Sequence, residues 1–225
     1  MAGKTKIELF EEEIIATELT DERLETFRKL LVRAGSDYNR NQHCYITAYK
    51  FPAERLEESV KLIKFGIQTY KDDNSGMMRA YDTLAAAYER AGQYQTAYDL
   101  YVKLYSEIKT ERFNFPWCLL RTRLHIDSFK YTEEAERYYN ICTQQDSFSK
   151  SLLNNRFWLL VAQTIIERHN GNTEEAKRCS NELNQIITPG HKGPLHSILA
   201  KHRIEESVTV SKECRKYLAE LNKTF

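Results

Sequence analysis

A small side chain recurs through this chain at nearly constant intervals, and this recurrence constrains the fold more than any other feature of the sequence. Successive members are 38, 38, 41 and 38 positions apart. They are Ser59, Ala97, Ala135, Ala176 and Cys214. A repeat period of about 20 to 50 residues is typical of arrays in which each unit packs on the next. We therefore predict a repeated structural unit over most of the chain.

The spacing of apolar residues indicates that this unit is helical. Leu24, Phe27 and Leu31, for example, share one face of a helix, and similar stripes occur almost throughout. All-β folds use glycine and proline in the turns that separate their strands, but the chain has only 8 glycines and 4 prolines among 225 residues. No segment alternates with period two over the length of a strand. We therefore predict an all-α protein.

The stretch from Tyr81 to Lys109 resembles the tetratricopeptide (TPR) repeat at all eight of its signature positions. These are Tyr81, Leu84, Ala85, Tyr88, Ala97, Tyr101, Leu104 and Lys109. Gly92 stands where that family places its turn glycine. The other units keep the register of the small residue with longer turns, so they are degenerate repeats. The alternative for this spacing is a plain helical bundle with helices of similar length.

The resemblance implies a right-handed superhelix, or α-solenoid, built from about five antiparallel TPR-like helical hairpins. We expect residues 37–225 to form one continuous TPR-like repeat domain. Residues 1–36 do not follow the repeat, and we expect them to form an N-terminal helical cap. The alternative is that this segment occupies the groove of the superhelix as a regulatory plug.

Motifs of known enzyme and metal sites are absent from the sequence. The chain contains no G-x-x-x-x-G-K or G-x-G-x-x-G phosphate loop, no G-x-S-x-G nucleophile elbow and no H-E-x-x-H zinc motif. Its six histidines include no i, i+4 pair, and its five cysteines include no C-x-x-C pair. We therefore expect a non-enzymatic protein without catalytic residues, metal or cofactor.

Charge and hydropathy disfavour two classes of partner. The net charge is +1, from 33 basic and 32 acidic residues, without the basic block that phosphate neutralisation requires. The longest uncharged, mostly apolar run, Phe157 to Ile166, is too short to span about 30 Å of hydrocarbon. No signal peptide is recognisable, and scattered cysteines suit a reducing compartment. We expect a cytoplasmic protein that binds neither membranes nor nucleic acid.

In TPR proteins the first helices of the hairpins line a concave groove, which holds an extended peptide or a helix of the partner. Carried over position by position, the resemblance implies a groove lined by Arg79, Asp82, Arg90, Thr122, His125, Arg156, Leu159, Gln163, His196 and Arg203. The set lacks the Lys and Asn clamp of TPR domains that bind chaperone tails. Its arginines beside apolar Leu159 suit an acidic, partly apolar segment. Simple solvent exposure is the alternative for each residue.

The sequence therefore predicts a scaffold or adaptor that binds a peptide or helical segment of another protein in this groove. A second hypothesis is a stand-alone regulator or toxin-neutralising, immunity-type protein that inhibits one enzyme, because no effector domain is evident. A third is an RNA-binding helical repeat, which the near-neutral charge disfavours. A homodimer through the C-terminal helix is also a candidate. The apolar stripe there consists of Val210, Cys214, Tyr217, Leu218 and Leu221.

Overall fold

A computed structural model of the chain describes residues 4–71, 74–107, 115–188, 208 and 210–224. Within these ranges the backbone forms α-helices and two short 3-10 turns, and it forms no strand. The helices are α1 (Lys6–Ala16), α2 (Asp21–Leu31), α3 (Asp37–Tyr49), α4 (Leu56–Thr69), α5 (Asn74–Arg90), α6 (Tyr94–Glu107), α7 (Phe115–Ile126), α8 (Glu133–Thr143), α9 (Ser147–Ser151), α10 (Leu153–His169), α11 (Thr173–Ile186) and α12 (Lys212–Leu221). The prediction of an all-α protein is confirmed. The chain divides into two compact units, Met1–Lys109 (unit 1) and Thr110–Phe225 (unit 2).

Side-chain caps explain where many of the helices begin. Thr5, Thr20, Ser36, Thr132 and Ser211 each accept a hydrogen bond from the backbone N–H three residues later. Each bond satisfies one of the N–H groups that the first turn of a helix leaves without an intrahelical partner. These hydroxyl groups therefore set the starts of α1, α2, α3, α8 and α12.

Three helices end in the same hydrogen-bonded turn. The turn is closed by a bond from a backbone N–H to the carbonyl oxygen five residues earlier, as in the Schellman motif. The bonds are Gln93 to Tyr88 at 2.9 Å, Phe129 to Leu124 at 2.9 Å and Asn172 to Glu167 at 2.8 Å. The residues that precede these donors, Gly92, Ser128 and Gly171, all have positive φ. Helices α5, α7 and α10 therefore end alike, although only two of the three ends use glycine. In the longer α7–α8 turn, Phe129 also has positive φ.

Unit 1 consists of two stacked hairpins with two N-terminal helices packed on them. Helices α3 and α4 form the first hairpin, α5 and α6 form the second, and α5 packs against both helices of the first. One apolar core, which includes the fully buried Phe27, Leu31 and Ile63, joins these hairpins to α1 and α2. The end of α1 is also held by Arg55, whose guanidinium donates to the Ile14 carbonyl oxygen at 3.2 Å and to that of Thr17.

Unit 2 also contains two stacked hairpins, and it has a C-terminal helix in addition. Helix α10 packs against both helices of the α7–α8 hairpin and pairs with α11. Helix α12 is held against α11 by Asn184 and Asn222, whose side chains exchange two amide hydrogen bonds of 2.9 and 3.0 Å. The rings of Phe129 and Tyr217 stack with their centroids 5.0 Å apart. Cys214, Leu218 and Leu221 of the apolar stripe are buried within the chain, whereas Val210 and Tyr217 are half-buried. A homodimer through this helix stays a prediction.

The recurring small residues are buried near the starts of helices in both units. Each lies in the first turn of α4, α6, α8, α11 or α12, and each is at most 4% exposed. A larger side chain at this point would separate helices that pack with axes about 8 to 10 Å apart. The repetition in the sequence therefore corresponds to a buried position in the first turn of each of these five helices.

Candidate protein-binding surface

The exposed faces of α3 and α5 lie side by side in unit 1. Near the starts of these helices Asn41 Nδ2 is 3.9 Å from Met77 Sδ, and at their ends Arg90 Nη1 is 2.5 Å from Tyr49 O. The two helices therefore run in the same direction. On these two faces we define the α3–α5 surface as seven half-buried or exposed side chains, Gln42, Ile46, Tyr49, Arg79, Asp82, Ala86 and Arg90.

The pattern of burial shows which residues of α3 correspond to the predicted residues of α5. Buried Cys44, Tyr45 and Thr47 match buried Leu84, Ala85 and Ala87. Gln42 and Ile46 therefore take the places of Asp82 and Ala86. The strict TPR pattern begins only at Tyr81, so it does not point to Ile46 or Tyr49. The signal that would find them is the apolar spacing of α3, one hairpin earlier.

Ile46 and Tyr49 are large apolar side chains that remain in solvent. They are 41% and 57% exposed, and they lie three residues apart on the same face of α3. A second exposed pair with the same spacing, Val102 and Tyr105, lies on α6. We select the pair on α3 because a predicted groove residue, Arg90, is fixed against it.

Arg90 is held by the C-terminal end of α3. Its Cζ lies 4.6 Å from the centroid of the Tyr49 ring, which is a cation–π contact. Its Nη1 donates to Tyr49 O at 2.5 Å and, at the limit of hydrogen bonding, to Phe51 O at 3.5 Å. The last carbonyl groups of a helix carry partial negative charge, which favours a cation at this point. The surface thus combines exposed apolar area with an oriented positive charge.

Further basic residues lie on α3, α5 and α6. Exposed Lys50 and Arg79 lie at the end of α3 and near the start of α5, and Lys103 Nζ of α6 is 6.0 Å from the Tyr81 ring centroid. Asp82 is the acidic member of the α3–α5 surface. Within the α3–α5 surface itself, Arg79 and Arg90 face the single acid Asp82, which leaves one net positive charge.

In unit 2, the predicted residues of α10 already have partners on α11. Arg156 Nε donates to Glu182 Oε1 at 2.6 Å, and Gln163 Nε2 donates to Glu175 Oε1 at 3.1 Å. Leu159, which is half-buried, lies between them on the same face of α10. Counted from the recurring small residue, Glu182 has the position that Lys103 has in unit 1. The polar side chains of α10 therefore stabilise their own hairpin, whereas unit 1 has a cation in place of the acidic partner.

The predicted residues of α7 are packed inside unit 2. Thr122 is fully buried, and its Oγ1 donates to Cys118 O at 2.7 Å within the same helix. The ring of His125 packs against those of Phe129 and Trp158, with centroids 5.0 and 5.3 Å away. The structure thus corrects the expectation that Thr122 faces a groove. A helix turns by about 100° per residue, so a register error of one position moves a side chain from the surface to the core.

The remaining predictions concern His196 and Arg203, which lie outside the described residues. Within the described ranges, no group of three or more His, Cys, Asp or Glu side chains is placed to hold a metal ion. No helix in those ranges combines the length and apolar character needed to cross a bilayer. Comparison of the chain with family models, curated proteins and solved structures found no match.

Burial keeps several thiols in their protonated form. It raises the pKa of Cys142 and of Cys214 to about 12, and it also raises the pKa of Cys44. A thiol must lose its proton to act as a nucleophile or as a metal ligand, and these groups are neutral near pH 7. They serve as small apolar side chains in the packing between helices.

Proposed function

We propose that this chain is a non-enzymatic protein-interaction module, a scaffold or adaptor that binds an acidic, partly apolar segment of another protein on the α3–α5 surface. The observation that carries the proposal is the exposed pair Ile46 and Tyr49 with the guanidinium of Arg90 held over the tyrosine ring. Tyrosine and arginine are enriched among residues that dominate binding energy, and such residues combine apolar contact with a polar group.

We propose further that the hairpins stack as TPR-like repeats in a right-handed α-solenoid. Two observations support this architecture. In each unit the first helix of the second hairpin packs against both helices of the hairpin before it. In addition, Ser59, Ala97, Ala135 and Ala176 are buried in the first turn of the second helix of their hairpins. A repeat that cannot bury its apolar face alone is stabilised in this way by its neighbours.

The charge of the surface indicates the chemistry of the partner. The α3–α5 surface contains Arg79 and Arg90 against the single acid Asp82, and exposed Lys50 directly follows Tyr49 at the end of α3. Opposite charges on two partners accelerate their encounter and disfavour partners of the wrong sign, while the apolar contact supplies most of the affinity. An acidic segment with exposed apolar side chains is complementary to both properties.

The test compares proteins that the immobilised full-length chain and its variants capture from native lysate, identified by quantitative mass spectrometry. Ile46→Asp combined with Tyr49→Ala removes the apolar pair. Val32→Asp is the matched control, because Val32 is 64% exposed in unit 1 but lies in the turn after α2. We expect the wild type and Val32→Asp to retain the same proteins and the double variant to lose them. Thermal unfolding of each variant checks that the fold is unchanged.

Identical protein sets for all three chains would refute the assignment of binding to the α3–α5 surface. A set lost only with Val32→Asp would place binding on another part of unit 1.

A further inference from the structure

We infer that Arg90 is a preorganised receptor for a side-chain carboxylate, and that a partner segment must carry Asp or Glu at a fixed spacing from an apolar residue. This inference rests on the proposed function of the α3–α5 surface. It names the group that gives the surface its specificity.

One edge of the Arg90 guanidinium is bound and the other is open. Nη1 donates to the carbonyl oxygens of Tyr49 and Phe51, and the tyrosine ring covers one face of the group. Within the described ranges, no group accepts a hydrogen bond from Nε or Nη2 of this residue. The Nε–H and one Nη2–H lie on the same edge of the planar group, and such an edge can bind both oxygens of a carboxylate.

The contacts on the closed edge reduce the conformational entropy that Arg90 would lose when its open edge binds a carboxylate. A free arginine side chain must be ordered when it binds, and this loss of rotamer freedom opposes association. In this structure the ring of Tyr49 and its carbonyl oxygen already order Arg90 before a partner arrives. The backbone carbonyl also fixes the plane of the guanidinium, so a carboxylate is favoured in one direction of approach.

The apolar residues next to Arg90 define the spacing of the complementary motif. Ala86 precedes Arg90 by one turn of α5, and Ile46 precedes Tyr49 by almost one turn of α3. The apolar contact therefore lies about 5 to 6 Å along the helices from the guanidinium. A partner matches this distance when its apolar residue and its carboxylate are three or four positions apart in a helix, or two apart in an extended strand.

The experiment selects ligands from a random peptide library displayed on phage, with the full-length chain as the immobilised target. The displayed peptides are joined to the coat protein through their C-termini, so carboxylates come only from Asp and Glu. The strongest peptide is then synthesised with an amidated C-terminus, and its Kd is measured by fluorescence anisotropy. The protein variants are Arg90→Lys, Arg90→Gln and Ile46→Asp, with Val32→Asp as the control.

We expect selected peptides to share Asp or Glu at one of the stated spacings from an apolar residue. Arg90→Lys keeps the charge but loses the planar fork, and we expect it to weaken binding about tenfold. Replacing the carboxylate of the peptide by its amide should cause a similar loss on the wild type and little further loss on Arg90→Gln. Val32→Asp should leave the Kd unchanged within about twofold.

The inference is overturned if the peptides show no preference for acidic residues, or if Arg90→Lys binds them as tightly as the wild type. Binding that Ile46→Asp abolishes under those conditions would still place an interaction on the α3–α5 surface, and only the acidic character of the partner would be withdrawn. If no peptide depends on Ile46, the proposed function fails as well. Should Arg90→Lys lose its fold, the amide-substituted peptide on the wild-type protein decides the same question.

Discussion

Replacing Gly66 by alanine tests how closely α3 and α4 pack in unit 1. A Cβ atom at Gly66 would lie 2.7 Å from Asn41 Oδ1 and 2.8 Å from Cys44 Cβ. Both neighbours are fully buried. The Cβ of Cys44 is bonded directly to the backbone of α3 and cannot rotate away. Gly66→Ala therefore requires the two helices to move apart.

Two opposing effects determine the change in the free energy of unfolding. Alanine stabilises a helix interior by about 1 kcal/mol relative to glycine. Overpacking of a filled core costs about 1 to 3 kcal/mol, and a carbon–carbon contact at 2.8 Å is far inside the optimum of roughly 3.5 to 4.0 Å. Both helices of this contact are fixed by further packing, so the upper part of that range applies. We expect a net destabilisation of about 1 to 2 kcal/mol.

The assay is urea unfolding followed by circular dichroism, with the same measurement in a Cys44→Gly background. That background removes the Cβ of residue 44, so Gly66→Ala should cost about 1 kcal/mol less in it. Gly92→Ala is a useful comparison, because a Cβ there meets nothing within 4 Å and any loss comes from its positive φ. A gain in stability for Gly66→Ala, as at an exposed helix position, would refute the reasoning.

Three further predictions concern α1, acid and the thiols. Arg55→Ala removes the donor to the last carbonyl oxygens of α1, so amide exchange in α1 should accelerate about tenfold while that of α6 is unchanged; equal rates in α1 would count against this role. The hydrogen bond from Arg55 holds the pKa of Glu58 below its usual range. The stability that this pair contributes is complete above the ordinary glutamate pKa and is lost as the pH falls through the lowered pKa. The urea midpoint should therefore fall between about pH 5 and pH 3, and it should fall less in Glu58→Gln. At about pH 8 a disulfide reagent should label half-buried Cys118 first and the four buried cysteines only on unfolding; fast labelling of several thiols in the folded protein would contradict their burial.

The helices and much of their packing could be predicted from the sequence, because burial follows the helical period. Ala97, Ala135 and Ala176 were placed correctly as small residues between helices, and all three are buried. Tyr101, four residues after Ala97, is buried with it. Contacts of this kind depend only on spacing along one helix, and a single sequence contains that information.

The surface residues were less predictable, because they depend on contacts between distant parts of the chain. Arg156 matches a groove position, but its pairing with Glu182 on the next helix depends on how α10 and α11 pack. Arg90 occupies a groove position that the resemblance implies, whereas Tyr49, the ring beneath it, lies outside the strict pattern. Thr122 is buried because the register of α7 differs from the one that the resemblance implies, and the length of the following turn could not be read from the sequence. Spacing cannot determine exposure where the register between helices is unknown.

The turns at Gly92 and Gly171 are places where the chain could accept additional residues. An added Cβ meets nothing within 4 Å at either glycine, so these turns lie clear of the helices that they join. Lengthening a flexible loop costs little, about 0.6 kcal/mol for each doubling of its length. Insertions can therefore accumulate at these two points over evolution, or a reporter can be engineered into them, while the helix pairs on either side keep their contacts.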